Sequence, residues 1–397
     1  MKLSQRASSV KPSATLKITA LAESLKREGK DVIVLAAGQP DFHTPEYIKT
    51  AGKEAIDKNI TFYTPIAGMI EFKKAIQQKF LRDNNLHYNL DEIVAGTGAK
   101  QILYNAIFAL VDPGDEVIIP SPYWVSYPEI VQLAGGIPIY LNTTIEEKFL
   151  INPDKLKKTI TNKTKAIILN SPSNPTGAVY PKELLYTVGQ LCAERGITIV
   201  SDEIYEYLVY DNLTAYSLAS LDPALKAITI TVNGLSKAFS MTGWRIGFGA
   251  GPKDVIKAMT DLQGHCTSNA SSIGQYAGIT ALSRNREQLK EYFDLFEERR
   301  NIAYERVSKM PDIETIKPQG AFYIFPNVSA YYGKQYKHHT ITDSASFCQY
   351  MLEELLISPV PGGEFGDDNY IRISYSINTD LLKKALERFE EGLKKLG

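Results

Sequence analysis

Cysteine is scarce: the 397 residues hold three, Cys192, Cys266 and Cys348, odd in number and widely spaced. That distribution excludes a disulfide framework and any zinc-finger spacing, and it fits a reducing compartment. Charge of one sign is also missing. Lys and Arg total 44 against 45 Asp and Glu, for a net charge of −1. A protein of nucleic acids or anionic membranes would carry a basic surplus or basic stripes. Small anionic substrates remain open, since they need only a few placed cations. No apolar run approaches the ~18 residues of a membrane span. Low-complexity tracts, internal repeats and Gly/Ser-rich linkers are lacking as well. The first 20 residues contain no acid, but with a single Arg and no apolar stretch they read as no targeting signal, and the cytoplasm is the expectation.

What is present is an ordinary globular composition, 44% hydrophobic and 22% charged, on a chain long enough for a large domain and a smaller one. Short β-branched runs at 116–119, 165–169, 197–201, 227–232 and 245–249 read as buried strands. Helical patterns lie between several of them. Ile102, Leu103, Ala106, Ile107 and Leu110 share one helical face, and 181–195 opens with Pro181, which suits a first helical turn. The alternation predicts an α/β fold, a mainly parallel sheet with helices on both faces. Ligands in such folds sit beyond the C-terminal ends of the strands. Past residue 285 the texture becomes α+β: a long charged helix pattern at 285–310, strand-like pieces at 320–325 and 370–375, and helices at 343–356 and 379–395. We therefore expect a large domain over 46–285 and a small one over 286–397, with residues 1–45 packing on the small domain because chain termini often lie close together.

Five motifs fall at the expected strand ends. Gly234-Leu235-Ser236-Lys237-Ala238 follows one strand, and Arg245 stands eight residues beyond the lysine. A lysine that forms a Schiff base must lose its proton, through burial or a neighbouring cation; an arginine nearby can take a phosphate through its planar fork. Ser201-Asp202-Glu203-Ile204-Tyr205 ends another strand. Asp202 there can hold a pyridinium N–H, or it can simply cap the next helix. Asn170-Ser171-Pro172-Ser173-Asn174-Pro175-Thr176-Gly177 offers an amide at Asn174, or no more than a turn. Gly96-Thr97-Gly98-Ala99-Lys100-Gln101 opens a helix whose free N–H groups suit a phosphate, although the fragment is short of a full glycine fingerprint. Trp124, in Ser121-Pro122-Tyr123-Trp124, can stack on a flat ring or fill the core.

Four stretches together, AAGQPDF (36–42), NSPSNPTG (170–177), SDEIYE (201–206) and NGLSKAFSMTGWRIG (233–247), resemble the class I aminotransferases of pyridoxal phosphate fold type I. The likeness runs from about residue 4 to the end of the chain. It implies pyridoxal 5′-phosphate as cofactor, a large cofactor-binding domain, a small domain built from both termini, and a homodimer with shared active sites. It implies Lys237 as the Schiff-base lysine and proton carrier, Asp202 on the pyridine nitrogen, and Tyr205 and Asn174 on the ring oxygen. Trp124 would stack on the ring, while Gly98, Ala99, Lys100 and Arg245 would meet the phosphate. Tyr63 resembles the tyrosine that reaches the neighbouring subunit's phosphate. Arg372 resembles the arginine that grips the substrate α-carboxylate, with Gly38 beside it. The matching Asn-Pro bond, Asn174-Pro175, is cis in relatives. One departure stands out: relatives often carry a hydroxyl three residues before the lysine, and here that position is Gly234. A backbone N–H or Ser236 would then serve the phosphate.

Val10-Lys11-Pro12-Ser13-Ala14-Thr15 and the run at 121–129 are similar to the bacterial-type (Iβ) aspartate aminotransferases, some of which also act on prephenate. That likeness implies Lys11 on the substrate's distal carboxylate. It implies amino-group transfer between L-aspartate and 2-oxoglutarate in a ping-pong cycle, with prephenate or aromatic substrates next in order. A lyase on the same fold would share Lys237, Asp202 and Arg245. A ligand-binding regulator would need an added DNA-binding region, for which there is no spare length. A serine-hydrolase elbow at Ser236 fails on Ala238, where Gly is required. No metal site is expected: His43, His87 and His265 are scattered, and His338-His339 reads as solvated surface.

Overall fold

A computed structural model of the protein describes residues 3, 4, 8 and 14–396; Lys11 lies outside the described residues. Its centre is a seven-stranded sheet made of β2 (Ile93–Gly96), β3 (Glu116–Ser121), β4 (Ile137–Asn142), β5 (Thr164–Asn170), β6 (Thr198–Asp202), β7 (Thr229–Gly234) and β8 (Gly247–Ala250). The order across the sheet is β2-β8-β7-β6-β5-β3-β4. The strands run in one direction except β8, which opposes both of its neighbours. Successive side chains alternate between two cores, as a pleated strand requires. Ala166 and Ile168 pack with Val117, Ile119, Val200 and the helix Ala99–Leu110 on one face. Ile167 and Leu169 pack with Ile118, Ile199 and the helix Lys182–Glu194 on the other. Each such buried Val, Ile or Leu side chain stabilises the fold by about 1.5–3 kcal/mol.

The rest of the chain is built from shorter pieces. β1 (Ile33–Val34) pairs in parallel with β12 (Ile357–Ser358), so the region before residue 45 adds a strand to one near the C-terminus. β9 (Tyr323–Ile324), β13 (Val360–Pro361) and β14 (Ile371–Ser374) form an antiparallel sheet in the order β13-β14-β9. β10 (Gln335–Tyr336) and β11 (His339–Thr340) form a hairpin. The helices Lys290–Val307, Ser344–Leu355 and Thr379–Leu396 cover them. The charged pattern over 285–310 begins as a 3₁₀ turn, Glu287–Leu289, before the α-helix sets in. Among the described residues no helix is long and apolar enough to cross a membrane.

Two expectations need correction, and two strands were not foreseen. The strand expected at 245–249 starts only at Gly247, because Arg245 takes a left-handed turn (φ 55°) ahead of it. Two strands, β2 and β4, carry no strong strand pattern: β2 is four residues ending in Ala-Gly, and β4 is a half-exposed edge strand interrupted by Pro138. His339 is not solvated. The hairpin folds its ring, 7% exposed, edge-on to Tyr350 at 5.6 Å.

Candidate active site

The strand ends gather the motifs. Asn170, Asp202 and Gly234 terminate β5, β6 and β7. Because β8 is reversed, its first residue, Gly247, lies in register with Gly234 on one side and Gly96 on the other. The loop carrying Lys237 and Arg245 is thereby brought to the same edge as Asp202 and the helix start at Ala99. A cavity of 1230 Å³ opens there, with Gly38, Trp124, Asp202, Lys237, Arg245 and Arg372 in its wall; Ala99, Lys100, Asn174, Tyr205 and Ser236 line it too.

Lys237 is half-buried, with its side chain facing this cavity. Its Nζ donates to the Gly38 carbonyl at 2.5 Å. Desolvation, then the nearby charges of Arg372 and Arg245, lower its pKa to about 8, against a partial counter-effect from Asp202. A free amine is thus accessible close to neutral pH. Asp202 is buried and accepts from the Tyr127 hydroxyl at 2.7 Å and from the Ile204 N–H at 3.3 Å. Burial pushes its carboxyl up to about 6. A cationic N–H delivered into the cavity would reverse that penalty, since an opposite charge favours the ionised form.

Arg372 is buried without a carboxylate partner among the described residues. Nη1 donates to Asn174 Oδ1 at 3.0 Å and Nη2 to the Ala36 carbonyl at 2.9 Å. Nε is buried with no hydrogen-bond partner among the described residues. The rings of Tyr323 and Phe365 lie 4.4 and 4.8 Å from the guanidinium carbon. An ion held this way calls for an anion, because an uncompensated buried charge is costly. The same contact turns Asn174 so that its NH₂ group is left for another acceptor. The Asn174-Pro175 bond is cis.

At the other side, Gly98 (φ 81°) caps the helix Ala99–Leu110, whose first N–H groups have no intrahelical partner. A Cβ on Gly98 would stand 2.5 Å from Arg245 Nη2, and one on Gly247 would stand 2.3 Å from the Ala99 nitrogen. These two glycines are what let the guanidinium and the helix start close on one space. Arg245 Nη1 is steadied by the Thr242 carbonyl at 3.0 Å. Desolvation and Arg245 lower the Lys100 pKa, and its Nζ lies 4.7 Å from the Trp124 ring. Two cations and a helix N-terminus facing one space are a donor set that could hold a phosphate.

Tyr205 is buried, its hydroxyl 2.9 Å from that of Tyr323. Ser236 is buried at the cavity wall. Gly234 has little room for a side chain: a Cβ would meet the Gly247 Cα and the Ile246 carbonyl at 3.1 Å. Its own N–H is occupied by Asn233 Oδ1 at 2.7 Å, so the Gly234 amide is not the substitute for the missing hydroxyl. Tyr63 lies apart from the cavity wall, 90% exposed. Three residues escaped the sequence reading. Tyr127, one helical turn after Trp124, orients Asp202. Asn170 ties the Asp202 carbonyl (2.9 Å) to the Asn174 N–H (2.8 Å). Tyr323 bridges Tyr205 and Arg372. For Tyr127 the spacing from Trp124 was an available signal; for Tyr323, brought in by β9, there was none.

A lysine with a lowered pKa, a buried acid and a phosphate cradle around one cavity fit a flat, phosphorylated pyridine aldehyde. The family model described as "Aminotransferase class I and II" matches residues 30–389. The chain belongs to that family. Its cofactor is pyridoxal 5′-phosphate, which the donor set accommodates. The chain is 49% identical over 391 residues to an aspartate aminotransferase of Geobacillus stearothermophilus, covering 98% of each. It is 45% identical to a probable aspartate/prephenate aminotransferase of Rickettsia conorii, again covering 98% of each. The crystal structure of an aspartate aminotransferase from Rhizobium meliloti is similar with a TM-score of 0.96 at 42% identity, covering 100% of this chain and 99% of that one.

Proposed function

We propose that this aminotransferase moves the amino group between L-aspartate and 2-oxoglutarate, giving oxaloacetate and L-glutamate by a ping-pong mechanism. The observation that carries the reading is Arg372, a buried guanidinium without a counter-ion among the described residues, beside a Lys237 that readily gives up its proton. The names of the full-length relatives supply the dicarboxylic substrate. Bound pyridoxal phosphate contributes an electron sink and a carrier for the amino group. The chain's own groups do the rest. Arg372, with Gly38 beside it, orients the substrate α-carboxylate in a bidentate pair. Lys237 Nζ takes the proton from the substrate α-carbon as general base and, as general acid, would deliver it to the cofactor carbon that carries the nitrogen. Asp202 holds positive charge at the ring nitrogen, and its link to Tyr127 keeps it aimed. Tyr205 and the NH₂ group of Asn174 would hold the ring oxygen, and Trp124 would stack on the ring. Arg245, Lys100 and the backbone at Gly98 and Ala99 hold the phosphate, with the Ser236 hydroxyl in place of the one missing at Gly234. Lys11 pairs with the distal carboxylate.

The same reading gives a cytoplasmic homodimer in which Tyr63 of each subunit reaches the other's phosphate. The neighbouring exposure of Phe62 (79%) supports a surface that becomes covered. It also divides the chain into a large cofactor domain over 46–285 and a small domain over 286–397 joined by the first 45 residues. A second reading, action on prephenate as well, is supported by the Rickettsia relative and by a cavity large enough for a ring-bearing oxo acid.

Absorbance spectroscopy tests the proposal. L-aspartate alone should remove the visible cofactor band, and 2-oxoglutarate should restore it. A band that aspartate leaves unchanged removes aspartate as donor; restoration by prephenate after glutamate then establishes the second reading. Amino-group loss without a cofactor that awaits an oxo acid would indicate a lyase instead.

A further inference from the structure

Away from the cavity, the hairpin β10–β11 presses Lys337, His338 and His339 against the last turn of the helix Ser344–Leu355, which presents Glu353 and Glu354. The buried His339 Nε2 has no hydrogen-bond partner among the described residues. It stands 3.6 Å from Glu353 Oε2 and 3.6 Å from Glu354 Oε1, beyond hydrogen-bond reach of both. The His338 ring lies alongside at 4.1 Å between centroids, and its Nε2 is 3.8 Å from Glu353 Oε2. One ligand atom each from His338, His339 and Glu354 lies within 4.8 Å of the others.

We propose that His338, His339 and Glu354, with Glu353 as a further carboxylate, form a binding site for a divalent transition-metal ion, zinc foremost. Imidazole nitrogens with carboxylate oxygens are the donor mix that zinc, cobalt and nickel accept. A tetrahedral ion with bonds of about 2.0–2.1 Å sets its ligand atoms about 3.3 Å apart. The two 3.6 Å gaps around His339 Nε2 are close to that separation. His338 is exposed and free to swing the remaining distance. Lys337 Nζ holds Glu354 through Oε2 at 2.5 Å, which leaves Oε1, the oxygen nearer His339, for the ion. The ion would give the buried His339 nitrogen the partner it lacks and would tie the hairpin to the helix. The site shares no residue with the cavity, so it would act on the stability of this region and leave the transfer chemistry alone.

The test uses the cofactor-loaded enzyme, treated with chelator, with the exposed Cys266 replaced by Ser to remove a competing thiol. Cobalt(II) is titrated and its visible ligand-field bands are recorded; zinc is then added as competitor. The expected result is saturable binding of a single ion per chain, displaced by zinc, with a rise in melting temperature and unchanged transaminase activity. His338→Ala, on an exposed side chain that the fold does not need, should weaken cobalt binding by about tenfold or more, and His339→Asn should abolish it. No saturable signal up to about millimolar cobalt, or binding that His338→Ala leaves unchanged, would overturn the proposal.

Discussion

At the scale of single residues, the buried charges of the cavity trade stability for function. The folded chain binds a proton at Lys237 only below about pH 8, whereas the unfolded chain keeps it up to about 10.5. Between those values the unfolded state holds more protons, so the stability of the cofactor-free protein rises with pH across that window. Below it, the charged lysine is a burden of up to about 3 kcal/mol. Lys237→Met should therefore make the cofactor-free protein more stable at pH 7, with an advantage that fades from pH 8 to 10.5, as urea titrations at a series of pH values would read. The same variant should lower transamination by at least about 10²–10⁴-fold, the usual range for loss of a general acid–base. Arg372→Lys keeps the charge and loses the planar fork. It should cost about 2–4 kcal/mol in kcat/KM for aspartate, mostly through KM, which steady-state kinetics with varied aspartate would show.

At the scale of elements, the close approach of β8 to the helix Ala99–Leu110 shapes the end of the cavity proposed to hold the phosphate. A methyl group at Gly247 would fall 2.3 Å from the Ala99 nitrogen and 2.4 Å from the Gly98 carbonyl carbon. Gly247→Ala should force the strand and helix start apart, at a cost of about 1–3 kcal/mol. It should weaken cofactor affinity more than it lowers the melting temperature; equilibrium dialysis with pyridoxal phosphate, alongside thermal melts, separates the two. Elements of this kind were readable from the sequence where residues are apolar on both faces and end on a motif: β5, β6 and β7 lie within a residue or two of the expected runs. The helices Ala99–Leu110 and Lys182–Glu194 were equally legible from periodicity and Pro181. The strands β2 and β4 were not, because a four-residue strand and a half-exposed edge strand leave too little pattern. Nor was the burial of His339, which depends on a hairpin turning a polar tract inward. The cavity residues that came from motifs, such as Lys237 and Asp202, were named in advance. Tyr323 was not, because only the pairing of β9 with β14 brings it there.

At the scale of the whole molecule, Tyr63 stands exposed and apart from the cavity, and the proposed dimer would carry it into the neighbouring subunit's site. Light scattering should give twice the mass of one chain. Refolding a mixture of Tyr63→Phe and Lys237→Ala subunits should restore activity that neither variant has in full, since a hybrid dimer rebuilds one complete site. Activity equal to the sum of the separate variants would remove Tyr63 from its neighbour's site. The reversed strand β8 has a consequence at this scale too. Lys237 and Arg245 sit on one short excursion between adjacent strands, so the proposed covalent and ionic grips on the cofactor would be two jaws of a single caliper. Its span is set by eight residues of local chain, so a change at a distant surface should shift how tightly the caliper is backed without altering the gauge to which it is cut.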